Sequence, residues 1–223
     1  MATHEVRNQP PPLEDYDLFG TDRALVEGVG REGAGWATAR LGELGRRAGS
    51  SEVIGWGFDA NAYPPVLRTH DRFGHRLDRV DYHPSYHRLM EGAVAAGLHA
   101  APWADDRPGA HVARAAGFYL WSQADAGHGC PISMTYSVLP ALRTRPDLLA
   151  EWGPRLTSCS YDPAFAPASA KAGALAGMGM TEKQGGSDVR ANMTRAEPSG
   201  SHGAHRLTGH KWFCSAPMSD LFL

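Results

Sequence analysis

The sequence predicts a mainly α chain whose later part turns to β structure, and three observations carry that reading. Segments with helical apolar spacing, opened by capping residues, recur from Thr21 to Leu156. One charged, alternating stretch around Phe73-Gly74 interrupts them and reads as a small hairpin near 67–82. From Leu175 onward glycine, threonine and β-formers take over. The expected organisation is a helical domain over 1–174, carrying an extended arm at 1–20, and then the beginning of a β-domain over 175–223.

In chain order, Pro10-Pro11-Pro12 holds the arm extended, because such a run cannot continue as helix. Thr21-Asp22 caps a short helix toward Val29, and 36–47 reads as a second. Ser50-Ser51-Glu52 opens a third near Val53, which ends before Pro64-Pro65. After the hairpin, Pro84 starts a helix over 85–97, since proline suits a first turn. The stretch 109–126 is helical with Val112, Ala116, Tyr119 and Leu120 along one stripe, and helices over 132–142 and 147–156 follow. No internal repeat or low-complexity tail is present.

Composition excludes several classes. With 223 residues, 42% hydrophobic and 21% charged, the chain has the makeup of a globular protein of one or two domains. A net charge of −2 gives no general pull toward nucleic acid or an acidic membrane. Cys130, Cys159 and Cys214 are few, odd in number and without metal spacing. The opening Met1-Ala2-Thr3-His4-Glu5 lacks an apolar signal core, and the most apolar window, 92–101, is far too short to span a bilayer. A reducing cytoplasm is the expected compartment.

The segment from Gly177 to Asp188, Gly-Met-Gly-Met-Thr-Glu-Lys-Gln-Gly-Gly-Ser-Asp, is the chain's most informative. Its glycines let backbone approach a ligand, Thr181 and Ser187 supply hydroxyls, and Gly185-Gly186 can take positive φ. Such a loop can aim N–H groups at phosphate or carbonyl oxygens. Lys211-Trp212-Phe213-Cys214-Ser215 reads as a short strand with Phe213 and Ser215 on one face, fit to flank and hydrogen-bond a planar ring. The dinucleotide fingerprint fails because Glu182 stands where its third glycine belongs, and a hydrolase elbow fails because Val189 follows Asp188. From the residues alone, an ordinary glycine-rich turn remains an equal alternative.

The run Thr181-Glu182 through Gly186-Ser187-Asp188 resembles the Thr-Glu-x-x-x-Gly-Ser-Asp signature of the FAD-dependent acyl-CoA dehydrogenases, and residues 211–215 resemble the strand that follows it. Lys183-Gln184 replaces the usual proline after the glutamate. Together with Gly-Met-Gly-Met, this is similar to the AidB-like branch linked to defence against DNA alkylation. Asn8-Gln9-Pro10, Arg31-Glu32-Gly33-Ala34-Gly35-Trp36, His83-Pro84, Ala113-Arg114-Ala115-Ala116 and Cys130-Pro131-Ile132-Ser133-Met134-Thr135 extend the resemblance over the whole chain.

The resemblance implies a fold: an acyl-CoA dehydrogenase-like N-terminal helical domain followed by the start of an incomplete β-barrel middle domain. It implies FAD contacts at Met178, Gly179, Met180, Thr181, Gly185, Gly186, Ser187, Phe213, Cys214 and Ser215. Thr181 would meet the ring system, Ser187 the pyrophosphate, Phe213 the ring face and Ser215 the reactive ring nitrogen. The family's proton-abstracting carboxylate belongs to a C-terminal helical domain that also completes the flavin site and builds a homotetramer. That region would lie beyond Leu223, so no catalytic residue is assigned here and an incomplete chain, inactive alone, is expected. Two functions stay open: α,β-oxidation of an acyl-CoA thioester, or a non-catalytic, flavin-holding protein of the alkylation response. DNA contact would come through the missing C-terminal region.

Other residues have plainer readings. His83 and His87 have the spacing of two zinc ligands but no third ligand, and a capped helix with a packed histidine explains them better. Arg68, Arg72, Arg76 and Arg79 are interrupted by Asp71 and Asp78, which suits a solvated hairpin more than a nucleic-acid footprint. Phe118, Tyr119 and Trp121 read as core or interface aromatics, and Cys214 as a small packed residue.

Overall fold

The computed structural model describes residues 3–200 and 203–223; residues 1 and 2 of the expected arm lie outside them. Helix α1 (Arg23–Arg31) begins where Asp22 accepts the Leu25 backbone N–H at 2.9 Å. A 3₁₀ turn at Gly35–Ala37 leads into α2 (Thr38–Ala48). The Ser50 hydroxyl opens α3 (Ser51–Ala62) by accepting the Val53 N–H at 3.3 Å. These oxygens satisfy donors that a first helical turn leaves unpaired. Strands β1 (Val66–His70) and β2 (Arg76–Asp81) form an antiparallel, outward-facing hairpin.

Helix α4 (Pro84–Ala95) has His83 as its cap and Pro84 in its first turn. The helices α5 (Ala101–Ala104), α6 (Ala110–Ser122), α7 (Gly129–Leu142) and α8 (Pro146–Leu156) complete the helical part. Helix α5 is four residues long, too short to display a period. Helix α7 starts earlier than the sequence suggests because Pro131 falls in its first turn, where a missing N–H costs nothing.

Leu41 of α2, Leu89 and Met90 of α4, Leu120 and Trp121 of α6 and Ile132 of α7 are buried together. The Trp121 indole donates to the Leu89 carbonyl at 3.0 Å, and a Cβ on Gly92 would come within 2.3 Å of its ring. Only glycine permits that approach between α4 and α6. The buried line of α6 is Ala113, Ala116, Gly117 and Leu120. Tyr119, expected on that stripe, is 50% exposed and donates to Asp22 at 3.3 Å. The small residues at 113, 116 and 117 let α2 pack close, and Tyr119 sits one position off their line.

A second cluster joins Val138, Leu139 and Leu142 of α7 with Leu156, Ala174 and Ala176. Here the helical part meets the strands. Thr135 donates to the Pro131 carbonyl at 2.7 Å and accepts the Ala176 N–H at 2.9 Å. Strand β3 (Ala176–Gly177) pairs in parallel with β6 (Leu221–Phe222), and β4 (Arg195–Pro198) pairs antiparallel with β5 (His205–Thr208). The result is mainly α with a few short strands. Among the described residues no helix is long and apolar enough to cross a membrane.

Candidate functional site

The loop after β3 folds around one carboxylate. Glu182 is 1% exposed, and its Oε1 accepts from the Thr194 hydroxyl at 2.6 Å, the Thr194 N–H at 2.9 Å and Lys211 Nζ at 3.2 Å. Its Oε2 accepts the Met193 N–H at 2.8 Å and Gln184 Nε2 at 2.5 Å. The Met193 N–H and the Thr194 hydroxyl hold this carboxyl well below the usual carboxylate range, against the opposing effect of burial. Backbone bonds between Glu182 and Gly185, 3.0 and 3.1 Å, close a tight turn. A Cβ on Gly185 would lie 2.4 Å from Asn192 Oδ1, so a side chain there would displace the Asn192 amide from its place against the turn.

Residues 209–220 are bound alongside. Trp212 N–H donates to the Thr181 carbonyl at 2.8 Å, and the Met180 carbonyl accepts Asn192 Nδ2 at 2.6 Å and Lys211 Nζ at 3.4 Å. Buried Asp220 accepts Lys171 Nζ at 2.9 Å and the Leu175 N–H at 2.9 Å. The expected strand over 211–215 does not form. Phe213 has φ of 58°, in the left-handed region, and the Ser215 N–H returns to the Phe213 carbonyl at 2.9 Å in a three-residue turn. The contact of Trp212 with Thr181 outweighs the β preference of Trp and Phe. Phe213 and Ser215 therefore do not share a face: Phe213 is 80% exposed, and Ser215 is half-buried against the helical part.

Most of the expected contact residues fall along this seam. Gly179 lies against Cys214, whose Sγ is 3.7 Å from a Cβ built on the glycine, and Gly186 lies against the Thr181 methyl, 3.3 Å from its own Cβ position. Met178 is half-buried, Met180 is 52% exposed beside the loop, and Ser187 is exposed at the loop's far end. Among the described residues, the N–H groups of Thr181, Gly186 and Ser187 donate to no acceptor within the chain. Free N–H donors bordered by exposed Met180, Trp212 and Phe213 fit a group with both anionic oxygens and a planar ring, as FAD has.

Two clefts adjoin Ser215 and Ala216. One, of about 310 Å³, is lined by Tyr63, His83, Cys130, Pro131 and Ser215. The other, of about 520 Å³, is lined by Tyr82, Tyr86, His87, Tyr161, Lys171 and Asp220. Tyr82, Tyr86, Pro131 and Ala216 border both. The Tyr82 and Tyr86 rings stack at 4.1 Å, and His87 Nδ1 and the Tyr161 hydroxyl lie 2.8 Å apart. Burial pushes His87 down and Tyr82, Tyr86 and Tyr161 up, so all four are uncharged near neutral pH. Neither this tyrosine cluster nor the buried role of Glu182 emerged from the sequence; Glu182 stood inside the quoted motif, but burial leaves no mark on one residue.

The remaining charges have structural partners. His83 caps α4 and stacks on Tyr63 at 4.9 Å, so the two zinc-spaced histidines face different partners. On the hairpin, Arg68 and Arg79 pair with Asp81 at 3.1 and 2.7 Å, and Arg76 with Asp78 at 2.5 Å.

Residues 8–163 match the model of the adaptive response protein AidB N-terminal domain. The chain is 47% identical to AidB of Escherichia coli (strain K12) over 223 residues, 99% of this chain and 41% of that protein. It is 30% identical to acyl-CoA dehydrogenase family member 11 of Caenorhabditis elegans over 192 residues, 83% of this chain and 30% of the relative. Among solved structures, the apo form of Bd2924 superposes with a TM-score of 0.80 at 30% identity, over 96% of this chain and 42% of that one. Caenorhabditis elegans ACDH-11 in complex with C11-CoA superposes with a TM-score of 0.78 at 25% identity, over 98% of this chain and 37% of the other. The chain thus spans under half the length of these relatives, along a fold shared with acyl-CoA dehydrogenases. The chain belongs to the acyl-CoA dehydrogenase family, in its AidB branch, and corresponds to the N-terminal portion of that family's proteins.

Proposed function

We propose that this chain forms one wall of the flavin and acyl-thioester site of an acyl-CoA dehydrogenase-type protein, with a helical domain over 1–174 and a β-domain beginning at 175. The observation that carries the reading is the set of unengaged N–H donors at Thr181, Gly186 and Ser187 in a loop that also exposes Met180 and is tied through Thr181 to the segment carrying exposed Phe213. When bound, FAD supplies the hydride acceptor for α,β-desaturation of a thioester. The Gly186 and Ser187 N–H groups and the Ser187 hydroxyl would hold the pyrophosphate, Thr181 and Phe213 would meet the ring system, and Ser215, which lines the smaller cleft, would meet the ring edge. Met178, Gly179, Gly185 and Cys214 shape the loop from behind. The acyl group would be held in the clefts bordered by Tyr82, Tyr86 and Pro131. The acyl-CoA complex of ACDH-11 supports this substrate class.

None of this chain's carboxylates is assigned as the proton acceptor. Glu182 is saturated by hydrogen bonds, and Asp220 is committed to Lys171. A base must stand free beside the substrate's α-carbon. The matched family is named for an adaptive response protein, and the alternative reading is a flavin-holding protein of such a response without turnover. The hairpin arginines do not support DNA contact by this chain, because three of them are paired to its own aspartates.

Titration of the purified chain with FAD, followed by quenching of flavin fluorescence, tests the reading. Weak but saturable binding is expected, because a C-terminal domain completes the family's flavin site, and Gly186→Val is expected to weaken it about tenfold further, since the added side chain meets Thr181 and crowds the donors. Equal affinity of the two proteins, or absence of saturation in the wild type, contradicts it.

A further inference from the structure

The larger cleft has an unusual lining for a saturated hydrocarbon chain. Three phenols and an imidazole surround it: Tyr82 and Tyr86 stack at 4.1 Å, while His87 stands edge-on to them at 6.1 and 5.7 Å and tilts against Tyr161 at 6.0 Å. The rest of the lining includes Arg79, Asp81, Asp162 and the Lys171–Asp220 pair, with Met90 and Phe165 among its apolar side chains. Its volume of about 520 Å³ is in the range of small-molecule sites.

A methylene chain against this wall would meet ring faces and polar groups already partnered within the chain, such as Tyr161 with His87 and Asp220 with Lys171, and would gain dispersion contact alone. An aromatic ring behaves differently. Its negative face and positive edge allow offset-stacked or edge-to-face contact with the tyrosine rings, and its edge hydrogens tolerate phenolic and carboxylate oxygens. The phenols are neutral at ordinary pH and burial holds the His87 imidazole neutral as well, so this ring cluster offers rings and dipoles and adds no ion to the cleft.

We propose that this cleft selects acyl thioesters whose acyl group ends in an aromatic ring over saturated straight-chain acyl groups of equal carbon count. The inference rests on the acyl-thioester reading above. Tyr82 and Tyr161 are its specificity-determining residues, because both rings border the cleft while remaining partly accessible.

Calorimetric titration of the 223-residue chain with 3-phenylpropionyl-CoA, nonanoyl-CoA and free CoA tests it. The two acyl groups have the same number of carbons. The aryl thioester is expected to bind about tenfold more tightly than nonanoyl-CoA, and both more tightly than CoA. Tyr161→Leu and Tyr82→Leu reduce that ratio to about threefold or less, whereas Tyr161→Phe keeps the ring and leaves it within about twofold. A ratio of two affinities on one sample does not depend on the folded fraction, so a poorly folding variant still reports. Nonanoyl-CoA binding as tightly as the aryl thioester overturns the selectivity and leaves the acyl-thioester reading intact. Binding of neither above free CoA overturns both.

Discussion

Lys211 Nζ reaches the buried Glu182 carboxylate at 3.2 Å, tying the loop after β3 to the segment that carries Phe213 and Ser215. The two halves of the candidate flavin wall, separated in sequence, are thereby one unit. Glu182→Gln is expected to loosen both, lowering the melting temperature by roughly 5 °C and weakening FAD binding together. The folded-state pKa of Glu182 lies below its ordinary value of 4.5, so its stabilising effect is full above that pH and is lost as pH falls below it. The gap in melting temperature between wild type and variant should narrow as pH drops through that region. Scanning calorimetry between pH 7 and pH 3 measures it, and a constant gap would contradict the role given to Glu182.

His99 provides a second, separable pH window. It is buried, its Nε2 lies 3.0 Å from the Ser158 carbonyl, and burial, reinforced by nearby Arg114, pushes its pKa down to about 4. Between the ordinary value of 6.5 and that lowered one, the unfolded state binds the proton more readily, so stability falls as pH falls. The expected loss is on the order of 3 kcal/mol. Urea unfolding of wild type and His99→Gln across this interval should give a clear slope for the first and a much flatter line for the second.

The Lys171–Asp220 pair is buried and sits where the helical part meets β6. Removing one partner leaves an uncompensated charge, at a cost of roughly 3–5 kcal/mol. Lys171→Met is expected to show that loss in denaturant unfolding, and Lys171→Met with Asp220→Asn to recover a substantial part of it. Additive losses would mean the two side chains act independently.

Gly92 tests the packing of α4 on α6. A methyl group there meets the Trp121 ring at 2.3 Å, so Gly92→Ala is expected to destabilise by about 1–3 kcal/mol despite the better helix propensity of alanine. A stabilised variant would show that Trp121 can move away.

The helices were legible because their starts carry local chemistry: Asp22, Ser50 and Pro84 act within a turn of themselves. The hairpin was legible for the same reason, through Gly74 and the alternation around it. The loop residues Thr181, Gly186 and Ser187 stood in a recognisable motif. What escaped depends on distant partners. Trp212 gives its N–H to Thr181 instead of to a neighbouring strand, and Phe213 turns left-handed, so a β-like run became an irregular crossing. Tyr119 fell off the expected stripe because small residues decide which side of α6 meets α2. The tyrosine cleft joins residues 82, 86 and 161, which no local pattern relates.

The central claim is that flavin lies along the seam between residues 178–187 and 213–215, and amide chemical-shift mapping addresses it most directly. On titration of the isotopically labelled chain with FAD, the largest shifts are expected at Thr181, Gly186, Ser187, Phe213, Cys214 and Ser215, with small changes at the hairpin residues Arg68 to Arg79. Shifts concentrated away from that seam, or none at saturating FAD, would contradict the claim.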